Sequence, residues 1–202
     1  MLLVVAMLSV VAVPVALAAG GAQAHRTHRR HRPPHRPAPR CANADTPAAA
    51  ASDQQMRAAV VCLINLQRTR RRLPALTASS ALNRSAQGWT DLMVATGNFT
   101  HGPGNAFAVR ISAAGYNWQT AGENIATGYP TPRSVVAAWM ASTDHCRNIL
   151  DPSFHDVGTG INPRPVLAAA SGPATWSQDF GLLQGQGAPS GNRGPMNGCP
   201  YR

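Results

Sequence analysis

Apolar residues recur at helical spacing through the middle of the chain and in short compact runs towards its end. Met56, Val60, Leu63 and Ile64 stand at i, i+4, i+7 and i+8, one face of a helix. Ser52 and Gln55 ahead of them have capping-box spacing, and Pro74 stops the pattern. Leu82, Ala86, Trp89 and Met93 form a second stripe, which predicts a helix over about 80–96 with Gly97 as its C-cap. A shorter helix is predicted over 106–116, ending at Gly115. Another is predicted over 131–140, with Thr131 as N-cap, Pro132 in the first position and Val135, Val136, Trp139 and Met140 on the buried side. The character then changes. "FHDVGTGI" (154–161), "VLAAA" (166–170) and "ATWSQDFG" (174–181) read as short strands between Gly and Pro turns. Helices first and strands late predict an α+β layered domain over 52–184.

Two segments of different composition precede that domain. Residues 2–19 are apolar apart from Ser9, and "AQA" at 22–24 has the small residues of a cleavage site. Residues 1–24 therefore read as a secretory signal peptide cut after Ala24, with Ala18 as the second choice and a retained anchor as the alternative. Residues 25–40, "HRTHRRHRPPHRPAPR", hold six Arg, four His and four Pro and no acid. Such a tract cannot build a core, and 25–51 reads as a disordered basic linker and lead-in. It serves as a tether, as a grip on an anionic envelope polymer or membrane surface, or as a metal-scavenging tract.

Charge narrows the partners. The chain has eighteen Arg, no Lys and eight acids. Setting aside the linker's six Arg leaves twelve Arg against eight acids over 41–202, a net of +4. The domain is only mildly basic, the linker has no interleaved aromatics, and nucleic acid is not an expected partner. Cys41, Cys62, Cys146 and Cys199 allow three pairings, and export favours disulfides. No C-x-x-C spacing supports a zinc-thiolate site. The tail, 185–202, is irregular and needs Cys199 to hold it.

One polar constellation stands out. Glu123 is the only Glu in the chain, between Gly122 and Asn124. It lies 22 residues after His101 and 22 before His145, each at or near the end of a predicted element, with Glu123 itself in a Gly-flanked turn or short strand. Two imidazoles and a carboxylate are a partial ligand set for a zinc-like divalent cation, with open positions for water. Glu123 could then ligate, orient water or act as a general base. The plainer reading makes Glu123 an acceptor for backbone N–H groups and each His a satisfied core residue. No Ser sits in G-x-S-x-G, and the glycines of "HGPGNAFAVR" lack the Lys and Ser/Thr of a phosphate loop.

"NFTH" (98–101), "RISAAGY" (110–116), "GENIATG" (122–128), "VVAAWMASTDHCRNILDPSFHDVGTGI" (135–161) and "WSQDFG" (176–181) come in the order found in the CAP superfamily of cysteine-rich secretory, antigen 5 and pathogenesis-related class 1 proteins. The chain resembles the secreted bacterial branch over about 54–181. The resemblance implies a three-layer α-β-α sandwich with a cleft at one side. In that cleft His101 and His145 match the family's two His, and Glu123 matches the Glu of its "GEN" motif. A second acidic residue often stands three places after the Trp of the preceding helix; here that position is Ser142, so one carboxylate is missing. Asn124 and the neighbouring glycines are expected to let the Glu123 loop approach the cleft.

The resemblance also implies the pairs Cys41–Cys62 and Cys146–Cys199. Asn65 and Arg68 match a first-helix pattern with a structural role, Arg68 bonding carbonyls or a carboxylate. Three functions compete. The first is a secreted, monomeric binding module, envelope-associated through its linker, holding a zinc-like cation and a small lipid-like or envelope-derived ligand. The second is a metal-dependent hydrolase of extracellular peptides or cell-envelope polymers, with His101 and His145 as ligands and Glu123 as the catalytic base. The third is an interaction protein with a vestigial cleft.

Overall fold

The structure, a computed structural model, describes residues 41–166, 170, 172–187 and 198–199. The expected signal peptide and most of the linker and tail lie outside them. A 3₁₀ turn at Ala48–Ala50 leads into α1 (Asp53–Thr69), β1 (Thr77–Ala78), α2 (Ser80–Thr96), α3 (Ala106–Ala113) and β2 (Trp118–Thr127). α4 (Pro132–Ala141), α5 (Thr143–Leu150), β3 (Asp156–Asn162) and β4 (Thr175–Leu183) follow. Among the described residues no helix is long and apolar enough to cross a membrane.

Local chemistry sets the helix starts. Ser52 and Gln55 form the reciprocal capping box of α1, and Thr131 caps α4 with Pro132 just inside it. Gly97 closes α2 in the left-handed region, at φ 68°. Four elements differ from expectation, the first being the two-residue β1, which no sequence signal marks. β2 is a full ten-residue strand where a Gly-flanked turn or short strand was expected. α5 follows α4 after one residue, Ser142, and buries Cys146, Ile149 and Leu150. In the expected strand 166–170, the described ends, Val166 and Ala170, are not strand, and 167–169 lie outside the described residues.

The sheet runs β1-β3-β4-β2, with β1 parallel to β3 and the other pairs antiparallel. Its two faces are covered by different means. Val157, Trp176 and Phe180 join one core with residues of α1, α4 and α5, and Phe154 stacks on Phe180 at 5.3 Å. On the other face α2 lies directly on β3. A Cβ at Gly158 would stand 2.1 Å from the Leu82 carbonyl carbon, and one at Gly160 would stand 2.3 Å from the Ala86 oxygen. Only glycine allows that approach. The result is an α-β-α sandwich, with β2 as an edge strand that α3 flanks on one side and α5 on the other.

Arg68 joins the layers from inside. Its side chain is fully buried, and burial pushes its guanidinium down to about 10. Nε donates to the Pro74 carbonyl (2.8 Å), Nη1 to Ile149 (2.9 Å) and Asp151 (2.8 Å), and Nη2 to Phe154 (3.4 Å). It therefore ends α1 and fixes the turn between α5 and β3. Asn65 makes a two-way amide bond with Leu76 at 2.9 and 2.8 Å. Disulfides join Cys41 to Cys62 on α1 and Cys146 on α5 to Cys199, the pairs the family resemblance implied. The Cys146–Cys199 bond attaches the Gly/Pro-rich tail to α5, and closing so long a loop limits the unfolded chain by about 4 kcal/mol in the chain-entropy model.

Arg68→Ala would strand these carbonyls in the interior. Urea denaturation is expected to show a loss of roughly 3–5 kcal/mol, as for other broken buried charge networks. A loss below about 1 kcal/mol would mean that water replaces the guanidinium.

Candidate functional site

Glu123 lies on β2 with its side chain 1% exposed. A buried carboxylate needs partners, and both oxygens have them. Oε2 accepts from Arg110 Nη2 on α3 at 2.6 Å, and Oε1 faces His101 Nδ1 at 2.8 Å. The Arg110 guanidinium stacks over the Trp89 ring of α2, 3.7 Å from its centroid. Its Nη1 donates to the His101 carbonyl (3.2 Å), while Trp89 Nε1 donates to Thr100 O (3.0 Å). Two side chains thus pin the loop that carries His101. Gly102, at φ 82°, closes that loop where a Cβ would fall 2.9 Å from the Ala106 Cβ. With Nδ1 turned to the carboxylate, the outer edge of the ring lies on a side chain that is 48% exposed.

His145 comes from the other layer, in the first turn of α5 beyond its N-cap Ser142. Burial lowers its pKa, the proximity of His101 lowers it further, and Asp144 opposes both. The ring is therefore neutral at neutral pH. Phe99, Thr127, Tyr129, Trp139, Ser142 and His145 line a hollow of about 260 Å³ beside it. Asn124, expected near the cleft, is fully buried and faces away from Glu123. Its Nδ2 donates to the His145 carbonyl (3.2 Å) and to Gln178 Oε1 (3.3 Å), and its Oδ1 accepts from Asn148 (2.8 Å). Asn148 also donates to the Glu123 carbonyl (3.0 Å). Asn124 thus anchors α5 to β2 and sets where His145 stands.

Among the described residues no three His, Cys, Asp or Glu side chains form a group that could hold a metal ion. Both Glu123 oxygens are engaged, so this carboxylate orients His101 rather than ligating. A carboxylate behind an imidazole is the usual support of a metal-binding His. With Glu123 engaged, the imidazoles of His101 and His145 are the remaining metal-ligating side chains of the expected set. The third domain histidine, His155, pairs with Asp156 (2.9 Å) at the start of β3.

Asp179 had no role in the sequence reading, although "WSQDFG" contains it. It stands directly opposite Glu123 in the β2–β4 register and opposite Gly158 on β3. It is 1% exposed, and among the described residues neither oxygen has a hydrogen bond of good geometry, although the Ser85 hydroxyl is close enough to act on it. Burial, and then the Glu123 charge, push its pKa up to about 8, against weaker opposing effects of the Ser85 hydroxyl and Arg110. Two carboxyl groups face each other across the strands, and one of them keeps its proton at neutral pH. Asp179 is thus a second carboxyl beside Glu123, on the sheet itself.

The sequence model of the CAP (cysteine-rich secretory protein) family matches residues 61–180, more than half of the chain. The chain belongs to this family. The Bacillus subtilis (strain 168) protein YkwD is 36% identical over 124 residues, 60% of this chain and 45% of YkwD. The chain thus spans less than half the length of this relative. An extracellular SCP-domain protein of Bacillus anthracis str. Ames superposes with a TM-score of 0.53 at 22% identity, covering 65% of this chain and 44% of that one. A Staphylococcus aureus subsp. aureus Mu50 cysteine-rich secretory protein gives 0.51 at 16% identity, covering 63% and 38%. An outer surface protein of Borrelia burgdorferi gives 0.54 at 17% identity, covering 62% and 90%. At these identities the likenesses establish the shared fold.

Asp179 supplies a pH test. Its folded pKa lies above the unfolded value, so between about 4 and 8 the folded state holds a proton that the unfolded state has lost. Stability then falls as pH rises through that window, by at most about 1.4 kcal/mol per pH unit from this group. Asp179→Asn is expected to remove that fall and to be more stable than the parent near pH 8. Parallel slopes of unfolding free energy against pH for the two proteins would refute the assignment.

Proposed function

We propose that this CAP-family chain acts outside the cell as a binding module, holding a zinc-like divalent cation between His101 and His145 and, through it, an oxygen-bearing group of a small or envelope-derived ligand. One observation carries this reading: the buried Glu123 carboxylate is saturated by Arg110 and His101, while the outer nitrogen of the half-exposed His101 ring has no partner among the described residues. The carboxylate fixes the ring, and His145, close enough to feel the field of His101, would supply the second imidazole. The remaining coordination positions are left to water and ligand. When bound, the cation would supply Lewis-acid attraction for that ligand.

An extracellular setting is supported by the two disulfides and by the extracellular and outer-surface settings of the structural relatives. The Arg-rich residues 25–40 would keep the domain near an anionic surface. The hydrolase reading needs Glu123 to take a proton from water. A side chain 1% exposed, with an Arg at 2.6 Å, lacks that access.

Zinc titration by calorimetry tests the reading without invoking turnover. One equivalent should bind the parent protein and be lost in His101→Ala and in His145→Ala. Glu123→Gln should weaken it by about tenfold or more by releasing the ring. Equal affinity in the parent and the double His variant would remove the cation from the proposal.

A further inference from the structure

On its β1 side the sheet is closed by side chains that stand in for a further strand. Thr159 N–H on β3 donates to Asn83 Oδ1 (2.8 Å), and the Thr159 carbonyl accepts from Arg57 Nε (2.8 Å). Ile161 N–H donates to Gln87 Oε1 (3.1 Å), and its carbonyl accepts from Gln87 Nε2 (2.8 Å). At Leu76, just before β1, the Asn65 amide serves both backbone groups. An uncovered edge is a template for another chain, which is why folds cover it.

One position on this edge lacks such a cover. Thr77 and Ser79 donate to the carbonyls of His155 and Val157 at 2.9 Å each, so Ala78 between them turns its N–H and C=O away from β3. Ala78 is exposed, and neither group has a hydrogen-bond partner among the described residues. It lines a hollow of about 530 Å³ between α1 and the start of α2, together with Ala58, Val61, Cys62 and Asn83. Arg57 lines this hollow and an adjoining one of about 310 Å³, which reaches Arg84. No acidic residue lines either, and Asp53, 3.4 Å from Arg57, lies outside both walls. The edge thus offers one open pair of backbone groups, a small apolar wall and two cations in a row.

We propose that this edge is a docking site for an extended acidic peptide segment of another protein. The segment's backbone pairs with the Ala78 N–H and C=O and adds a short strand beyond β1. Its small side chains lie against Ala58 and Val61, and a carboxylate further along meets Arg57 and Arg84. Neither imidazole of the cleft takes part, so the assignment stands whether or not the cleft binds a cation.

The test uses the full chain and an array of short labelled peptides that alternate Val or Thr with Glu, read by fluorescence anisotropy. A matching array carries Lys in place of Glu. Glu peptides should bind about tenfold or more tighter than their Lys counterparts. N-methylation of the best Glu peptide should weaken it roughly tenfold at the residue whose N–H faces Ala78 and spare that residue's two neighbours, whose N–H groups point the other way. Bound peptide should slow hydrogen exchange of the Ala78 amide. Ala78→Pro deletes that N–H at an edge position where proline is accepted, and should weaken the peptide roughly tenfold. Ala58→Glu, at an exposed helix position, should weaken it by charge without lowering the thermal midpoint. The site is rejected if no Glu peptide binds, if Lys peptides bind as tightly, if N-methylation acts equally at every residue, or if both variants bind as the parent does. Self-association that protects the Ala78 amide without peptide would make a second copy the occupant and overturn the assignment.

Discussion

A carboxylate taken out of water must be matched by charge and donors, and here the matching groups come from three elements at once. Glu123 sits on an edge strand, so nothing in β2 can satisfy its side chain. Arg110 reaches it from α3, and His101 reaches it from the loop after α2. Trp89, stacked on Arg110, ties in α2 as well. The geometry of this side of the domain follows from one buried negative charge: where α3 lies, how the His101 loop turns, and which imidazole nitrogen stays free. It also bears on Asp179. Burial drives that opposing carboxyl to keep its proton, and the charge already fixed at Glu123 adds to the effect.

What the sequence revealed depended on how local the chemistry was. The starts of α1 and α4 were legible because Ser52 with Gln55, and Thr131 with Pro132, complete their caps within four residues. β2 was not, because both of its faces are covered and its polar side chains find partners far along the chain. Glu123 bonds Arg110, and Asn124 bonds Asn148. Without alternating burial a strand carries no period-two signal. α5 was missed because eight residues offer barely two turns, and its apolar side is defined by a disulfide and by Arg68 rather than by a long stripe.

The site divides in the same way. The chemical types of His101, Glu123 and His145 marked them as candidates, and family likeness set them in order. Arg110 lay inside the quoted "RISAAGY", yet its pairing with Glu123 appears only once α3 is folded against β2. The weight of Asp179 depends on strand register, which spacing cannot supply. The disulfide pairs were readable by likeness alone, since four cysteines leave the pairing open.

The two imidazoles are mounted on supports of unequal compliance. α5 is fastened at its start by Asn124, at its middle by Cys146 and Asn148, and at its end by Arg68, so His145 rides on a stiff jaw. His101 sits on a short connector held chiefly by side chains. Were the proposed cation held by both rings, it would be gauged by the first support and accommodated by the second. Selectivity for its size would then be written into the pinning of one loop rather than into the spacing of two helices.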